Sequence, residues 1–248
     1  MARMLARNVF DQYIVAKRFI MSAVSVCFYP VFRWRNPLTI QGAERLSALP
    51  STGVLFVSNH QTYFTDVICM HQIFSATIAG GDSSTRGLRY LLRPYTSLYY
   101  VAASETMAAG VIPRILAYGS AVCVDRSWKE GERFIARDVD LAGFHNIGRA
   151  LSDGWVVTFP QGTTRPFAAG RIGTAHLIQK FKPIVVPVVI HGFYEAFGKT
   201  GLDFSHPGRP VHVAFKTPLD LDYESDPKLI LAQVMQAIEQ SETDRAAA

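Results

Sequence analysis

Cysteine, charge and long apolar runs are all scarce in this sequence, and each shortage excludes a class of protein. The chain of 248 residues has three cysteines, Cys27, Cys69 and Cys123, which are far apart and form no C-x-x-C pair. Such an odd, scattered set argues against a disulfide framework or a zinc cage, and we expect buried free thiols in a reducing compartment. Charged residues make up 18% of the chain against 49% hydrophobic ones, which excludes extended disorder and a solvated coiled coil.

The charges that are present include a small excess of cations. Lys and Arg number 25 against 20 Asp and Glu, a formal net charge of +5. This excess favours anionic partners such as phospholipid headgroups, phosphorylated metabolites or nucleic acid, without choosing among them. Because the cations are spread along the chain with no basic stripe between aromatic residues, we expect no nucleic-acid partner.

The N-terminal segment is the most apolar part of the chain. Residues 19–32 are flanked by the basic sequences KR and RWR. A helix that spans a bilayer needs about 20 apolar residues, so this run is short, and it lacks the small residues of a signal-peptide cleavage site. Two interpretations stay open: a segment in the headgroup layer of a membrane, and a helix buried against the domain. We expect residues 1–40 to form a helical, membrane-associating segment and residues 41–248 to form one domain.

Short apolar runs recur through the rest of the chain and alternate with stretches of helical spacing. Each run is nearly continuous, which is typical of strands buried on both faces. Helical spacing is clearest over residues 132–151 and 227–240, the second with proline in its first turn. Strands that alternate with helices predict an α/β fold with a mostly parallel central sheet flanked by helices. The predicted strands cover residues 53–58, 98–102, 121–124, 155–159, 184–190 and 211–215.

A polar cluster, SNHQTYFTD, occupies residues 58–66 directly after the first predicted strand. The carboxyl ends of parallel strands are where α/β sheets carry their sites. His60 is the best general-base candidate because neutral imidazole can accept a proton from a hydroxyl near pH 7. Asp66 is the candidate to hold the second ring nitrogen. The alternative is that Asn59 and Asp66 only cap the following helix.

A second polar cluster, PQGTTR, occupies residues 160–165 after another predicted strand. It joins backbone amides around Gly162 with the hydroxyls of Thr163 and Thr164 and the guanidinium of Arg165. These groups suit a phosphate, because Arg offers a planar fork of donors while amides and hydroxyls offer neutral ones. The alternative is an ordinary turn between a strand and a helix, capped by one of the threonines.

Two other predicted strands have unusual features. The strand at 121–124 is followed by Asp125 and Arg126, and Arg126 offers a second cation to an anionic ligand. The strand at 184–190 contains Pro187, which removes one hydrogen bond of the sheet and therefore predicts an edge strand or a bulge.

These four blocks, in this order, resemble those of the glycerolipid acyltransferase family, typified by the 1-acyl-glycerol-3-phosphate acyltransferases of the lysophospholipid acyltransferase superfamily. The family's blocks read roughly N-H-x4-D, G-x-x-F-I-D-R, F-P-E-G-T-R and a V-P-V strand. Here they read NHQTYFTD, GSAVCVDR, FPQGTTR and IVVPVVI, and the resemblance covers roughly residues 53–192. Each block is only moderately specific, but four in the family's order are hard to obtain by chance.

The sequence departs from the family pattern at several points. Five residues separate His60 from Asp66 where the family has four, so an ungapped alignment puts Thr65 in the position of the aspartate. We expect a local bulge that returns Asp66 to His60, because a turn between a strand and a helix accommodates one extra residue easily. Gln161 replaces the family's glutamate and loses its charge, and an extra threonine moves Arg165 one position later.

The resemblance implies direct transfer of a fatty acyl group from a thioester to the hydroxyl of a lysophospholipid such as 1-acyl-glycerol-3-phosphate. No G-x-S-x-G elbow and no adjacent Cys–His pair points to a covalent intermediate. The implied donor is acyl-CoA or acyl-carrier protein, without a cofactor or a metal, at the cytoplasmic face of a membrane as a peripheral or monotopic protein. The implied catalytic residues are His60 and Asp66, and the substrate-binding candidates are Arg126, Gln161, Gly162, Thr163, Thr164 and Arg165, with Arg171 as a further phosphate candidate.

Other interpretations stay open within and beyond this family. The acceptor could be another lysophospholipid or an aminolipid that lacks glycerol phosphate. The altered His–Asp spacing and the missing glutamate also fit a lipid-binding relative without chemistry, and His60 acting on water would give a hydrolase. The basic stretch at residues 80–93 is interpreted either as a contact to lipid or acceptor or as a solvated surface excursion.

Overall fold

A seven-stranded sheet organises the part of the chain that the computed structural model describes, which comprises residues 6–80, 85–108, 110–125, 129–130, 133–134 and 141–247. The strands are β1 (Leu38–Gln41), β2 (Val54–Ser58), β3 (Leu98–Ala103), β4 (Ala121–Val124), β5 (Lys129–Glu130), β6 (Arg133–Phe134), β7 (Trp155–Thr158), β8 (Ile184–His191) and β9 (Val211–Phe215). The helices are α1 (Ile14–Pro30), α2 (Thr65–Gly80), α3 (Arg89–Leu92), α4 (Ser104–Ala108), α5 (Val111–Ser120), α6 (Leu141–Asp153), α7 (Ile172–Phe181), α8 (Phe193–Phe197), α9 (Pro227–Ala237) and α10 (Glu242–Ala247).

The direction of the strands brings the ends of the central ones to one edge. The order in the sheet is β1-β9-β8-β2-β7-β3-β4, and β5 and β6 form a separate hairpin. Neighbours from β8 to β4 run parallel, whereas β9 is antiparallel to β8 and parallel to β1. The predicted α/β class with a mostly parallel sheet is therefore confirmed. The segments that follow β2, β3, β4 and β7 all leave the sheet at the same edge.

Each face of the sheet packs against its own apolar layer. Phe56 of β2 faces a layer that includes Phe74 of α2 and Trp155 of β7, with ring centroids 4.7 and 5.3 Å from its own. Its neighbours Leu55 and Val57 face the opposite layer, which α6, α7 and α9 cover. Because both faces are covered, successive residues of β2 are buried, and this explains the continuous apolar runs in the sequence.

Pro187 does not mark an edge strand or a bulge, which corrects the expectation for this strand. It lies within β8, between β2 and β9, and the register with β2 runs unbroken from Val54–Ile184 to Ser58–Val188. The Lys216 N–H donates to the carbonyl oxygen of Pro187 at 2.9 Å. The nitrogen of Pro187 faces β9, as its carbonyl does. Because the pairing of β8 with β9 ends here, the missing N–H removes only the last hydrogen bond between these two strands.

Two other local expectations are wrong. The helix predicted over 132–151 is not helical at Arg133 and Phe134, which pair with β5; its described part is α6, and residues 135–140 lie outside the described ranges. All three cysteines are free, but only Cys69 is buried, whereas Cys27 and Cys123 are exposed. The C-terminal helix is present as α9, capped by the side chain of Asp226, and is shorter than predicted.

Helix α1 lies on the domain with both polar and apolar side chains buried, including Met21, and with several apolar side chains exposed. Lys17 and Ser25 are buried, whereas Phe19 is 75% exposed and Val26 is 51% exposed. Apolar side chains thus lie on both sides of this helix, whereas a surface helix in a soluble protein turns a polar face to solvent. Together with a π-helical turn, the segment Ile14–Arg35 has 22 residues and is long and apolar enough to cross a membrane by length and composition, which is weak evidence of membrane association. The division at residue 40 stays a prediction, and strand β1 runs across it.

Candidate active site

His60, in the turn after β2, meets Asp66, in the first turn of α2. His60 Nδ1 lies 2.9 Å from Asp66 Oδ2. The extra residue in this turn therefore brings Asp66, and not Thr65, to the imidazole. The Thr65 hydroxyl donates instead to the carbonyl oxygen of Gly201. The contact expected from the bulge is thus present, while the catalytic role of the pair stays a prediction.

The Asp66 carboxylate is fully buried and accepts hydrogen bonds on both oxygens. Besides His60, the N–H groups of Gln61 and Thr62 donate to Oδ2 at 2.6 and 3.0 Å, and the Thr62 hydroxyl donates to Oδ1 at 2.6 Å. These donors compensate the cost of burying the charge. With the carboxylate facing Nδ1, the ring hydrogen of neutral His60 is held there, and Nε2 carries the free lone pair.

Asn59 does not cap the following helix. Its side chain pairs with both backbone groups of Ile190 in β8, donating to the carbonyl at 2.9 Å and accepting from the N–H at 2.8 Å. The Thr62 hydroxyl, not Asn59, accepts the N–H of Asp66 at the start of α2. Asn59 therefore ties the end of β2 to its neighbouring strand and holds the turn that carries His60.

Phe159, which follows β7, fixes the plane of the His60 ring. The two ring centroids are 3.9 Å apart and the planes are inclined by 21°. The His60 side chain is 14% exposed, and it lines a cleft of about 790 Å³. Within the described ranges, no group hydrogen-bonds Nε2, so this nitrogen is available to a ligand in the cleft.

The cleft lies above the carboxyl ends of β2, β3 and β7 and combines a cationic wall with an apolar one. Arg165, Arg171 and Lys199 supply positive charge, and Glu195 supplies a negative charge. The apolar lining includes Val67, Tyr100, Val101, Met107, Ile147 and Leu177.

The loop of residues 159–171 carries Arg165 and Arg171 of the cationic wall. The Arg171 N–H donates to the carbonyl of Pro160 at 2.8 Å and closes the loop at its base. Gly162 has φ +62°, and a Cβ there would lie 2.7 Å from Arg171 Nε. This conformation favours glycine, and the Arg171 side chain lies along its backbone.

The family model described as Acyltransferase matches residues 37–191, which include strands β1 to β8 and both polar clusters. The chain belongs to the acyltransferase family. Its fold resembles the crystal structure of the 1-acyl-sn-glycerophosphate (LPA) acyltransferase PlsC from Thermotoga maritima, with a TM-score of 0.58 and 15% sequence identity over 94% of this chain and 81% of that chain. A search of curated proteins gave no significant match. The resemblance to glycerolipid acyltransferases is confirmed, and the protein is an acyltransferase.

The loop of the acyltransferase contains most of the predicted substrate-binding residues. Gly162, Thr163, Thr164 and Arg165 all line the cleft. The Gly162 N–H donates to the Phe159 carbonyl at 2.9 Å, so it is not the free amide that the turn was expected to offer. These positions agree with a role in binding, and that role stays a prediction.

Two of the predicted substrate-binding residues are not among the described residues that line the cleft. Gln161 is buried beneath the loop, and its amide nitrogen lies 3.1 Å from both the Ala168 carbonyl and Gln240 Oε1. It does not line the cleft, which corrects the expectation of a substrate contact. Arg126 lies outside the described residues.

Sequence reasoning missed the residues that α8 and the turn after it bring to the cleft. Tyr194, Glu195 and Lys199 follow β8 and line the cleft of the acyltransferase. No local pattern marks them, because their position depends on β8 lying beside β2. Among the described residues, no group of three or more His, Cys, Asp or Glu could hold a metal ion; that the reaction needs neither metal nor cofactor stays a prediction.

Proposed function

We propose that this acyltransferase moves a fatty acyl group from acyl-CoA or acyl-carrier protein to the hydroxyl of a lysophospholipid such as 1-acyl-glycerol-3-phosphate, in phospholipid synthesis. The observation that carries the proposal is the His60–Asp66 contact at the wall of a cleft that also holds Arg165 and Arg171. The first pair suits a hydroxyl that must lose its proton, and the second suits a phosphate. The Thermotoga maritima protein is named for the same acceptor class.

In the proposed reaction, His60 Nε2 accepts the proton of the acceptor hydroxyl as its oxygen attacks the thioester carbonyl. Asp66 stabilises the imidazolium that forms, and the stacked Phe159 ring keeps the orientation of the His60 ring. The tetrahedral intermediate then breaks its carbon–sulfur bond. The imidazolium returns the proton to the departing thiolate, so the thiol leaves and His60 is neutral again.

The two walls of the cleft suit the two ends of a lysophospholipid. Arg165 and Arg171 provide guanidinium groups for the phosphate, and the apolar wall provides contacts for an acyl chain. A smaller apolar cavity of about 50 Å³ shares Tyr63, Val67 and Tyr100 with the cleft and extends to α1 and α5. The apolar lining of this cavity lies between the cleft and α1, and α1 exposes apolar side chains, so we place the acyl chain of a membrane substrate on this side of the cleft.

Membrane attachment belongs to the same proposal. Phe19 and Trp34 on the α1 segment are 75% and 72% exposed, and Leu88 and Leu92 beside α1 are 60% and 75% exposed. The chain carries a net charge of +5, which favours anionic phospholipid surfaces. We place the protein on the cytoplasmic face of a membrane, with the outward side of α1 in the headgroup layer.

A second acceptor class has one observation in its favour. Glu195 lines the cleft and forms no ion pair with the other described residues. A carboxylate at this position suits an ammonium group, so an aminolipid hydroxyl is the alternative acceptor.

The test supplies radiolabelled palmitoyl-CoA or palmitoyl-acyl-carrier protein with each acceptor in turn: lysophosphatidate, lysophosphatidylethanolamine and a singly acylated aminolipid. We expect thiol release with labelled phosphatidate as the main product. Greater turnover of the aminolipid would favour the second class. Release of thiol and free fatty acid without an acceptor would indicate a hydrolase. No thiol release with any combination of donor and acceptor would contradict the proposal.

A further inference from the structure

The turn after α9 reaches the loop that carries Arg165, and we propose that Gln240 in this turn is a positioning residue for the acceptor phosphate. The inference rests on the proposed function, because it takes residues 162–165 to contact that phosphate. Gln240 lies well beyond residues 37–191, which the family model matches. No motif in the sequence marks it.

The hydrogen bonds of Gln240 fix the orientation of its amide. Its Oε1 accepts the backbone N–H of Phe167 at 2.9 Å, and its Nε2 donates to the Glu239 carbonyl at 2.8 Å. A backbone N–H can only donate, so the atom that faces Phe167 must be the oxygen. The atom of Gln161 that lies 3.1 Å from this oxygen must then be its nitrogen, and the same nitrogen donates to the Ala168 carbonyl at 3.1 Å.

This network explains why the chain has an amide at position 161. A glutamate carboxylate there has no hydrogen to donate and would face two acceptors, the Ala168 carbonyl and Gln240 Oε1. If Gln240 turned over to donate to the carboxylate, its nitrogen would face the N–H of Phe167. Glutamine at 161 and glutamine at 240 are therefore a matched pair, and the amide in place of the family's glutamate fits the contact with the turn after α9.

The backbone at Glu239 directs Gln240 toward the loop. Glu239 has φ +58°, a conformation that favours glycine at the end of a helix. The Gln240 N–H donates to the Met235 carbonyl at 2.9 Å and closes this turn. The Glu239 side chain is held by Lys216 Nζ at 2.8 Å and by His191 Nε2 at 3.5 Å. The turn is thus anchored to the sheet by Glu239 and to the loop by Gln240.

The contact acts on the cationic wall through the loop backbone. Gln240 holds Phe167 directly and Ala168 through Gln161, two and three positions after Arg165. The Ala168 N–H in turn donates to the Arg165 carbonyl at 3.4 Å. Gln240 touches neither the cleft nor the reacting atoms, so its effect is on where Arg165 is held.

The test compares Gln240→Met with Gln233→Met. Gln233 is an exposed glutamine of α9, the helix before this turn, and its side chain forms no hydrogen bond with the other described residues. We expect Gln240→Met to raise the KM for lysophosphatidate about tenfold, because two hydrogen bonds to the loop are lost. The kcat and the KM for the acyl donor should change less than about threefold. Amide hydrogen exchange in residues 159–171 should accelerate, and Gln233→Met should change none of these quantities.

The Arg165→Ala background separates this inference from the proposed function. There we expect Gln240→Met to raise the acceptor KM less than about twofold, because the contact that it positions is already absent. If Arg165→Ala raises the acceptor KM but Gln240→Met does not, the positioning role is overturned and the phosphate site stands. If Arg165→Ala leaves that KM unchanged, the phosphate assignment fails and the positioning role fails with it. A lower unfolding temperature of Gln240→Met with an unchanged acceptor KM also overturns the inference, since it shows a structural role only.

Discussion

The chemistry of the site depends on which of two adjacent side chains faces His60. The Asp66 carboxylate is sealed from solvent with donors on both oxygens, so its charge is held in front of Nδ1. An aspartate in this position holds the tautomer that presents Nε2 to a substrate and stabilises the imidazolium. Thr65 can do neither, because its hydroxyl is bound to Gly201.

Asp66→Asn and Thr65→Val are a matched pair of substitutions that tests this assignment. We expect Asp66→Asn to lower kcat about 10⁴-fold, as the loss of the orienting carboxylate does in a catalytic triad. Thr65→Val should lower kcat less than about tenfold, because it removes only a contact to another loop. Turnover of an acyl thioester with lysophosphatidate measures both, with thermal unfolding as the control for folding. A loss of turnover confined to Thr65→Val would mean that Asp66 is not the partner.

At the scale of secondary-structure elements, the loop of residues 159–171 depends on a glycine. Gly162→Ala places a Cβ at φ +62°, 2.7 Å from Arg171 Nε, and so strains the backbone and displaces a cation of the cleft. We expect the acceptor KM to rise about tenfold while the donor KM is unchanged. Gly87→Ala is the control, since no atom lies within 4 Å of a Cβ there. Equal effects of the two substitutions on the acceptor KM would contradict the account of the loop.

Helix α1 contains a lysine whose environment makes stability depend on pH. Burial lowers the pKa of Lys17 from its ordinary value of 10.5 to about 7. Between these values the unfolded chain binds a proton that the folded chain does not, so this residue makes the free energy of unfolding rise with pH. We expect Lys17→Met to raise the unfolding temperature at pH 7, and the gain to shrink by pH 9.5. Thermal unfolding of both proteins across this range measures it, and a gain that grows with pH would contradict the assignment.

The elements that the sequence predicted well are those whose pattern reflects local burial. The central strands lie within about two residues of their predicted bounds, because burial on both faces makes their apolar runs continuous. Strand β1 was missed, since only Leu38 and Ile40 in it are even partly buried and its run is short. The sequence also predicted a site at the polar clusters after β2 and β7, because parallel strands end at one edge of the sheet.

The rest of the site depends on contacts between distant segments. The Gln161 side chain points away from the cleft because it donates to Gln240, which lies 79 positions later in the chain. The stacking of Phe159 on His60 and the approach of Lys199 follow from which strands are neighbours. No periodicity or local motif carries that information.

At the scale of the whole molecule, the proposed function requires that the outward side of α1 contacts the membrane from which the cleft takes its lipid substrate. Phe19→Glu places a charge where the account puts an apolar anchor, and we expect it to lower binding to vesicles of anionic phospholipid about tenfold or more. Gln233→Glu is the control, since it introduces the same charge on α9, which packs on the opposite face of the sheet. Co-sedimentation with vesicles measures both variants. Equal binding of Phe19→Glu and the unaltered protein would contradict attachment through α1.

The central claim is that His60 removes the proton of an acceptor hydroxyl, and the rate of acceptor-dependent thiol release in His60→Gln tests it most directly. Glutamine keeps polar atoms in the turn but cannot take up the proton. We expect a fall of about 10²- to 10⁴-fold in that rate, with the unfolding temperature and lysophosphatidate binding unchanged. A folded His60→Gln protein that releases thiol and forms phosphatidate at a rate within tenfold of the unaltered enzyme would contradict it.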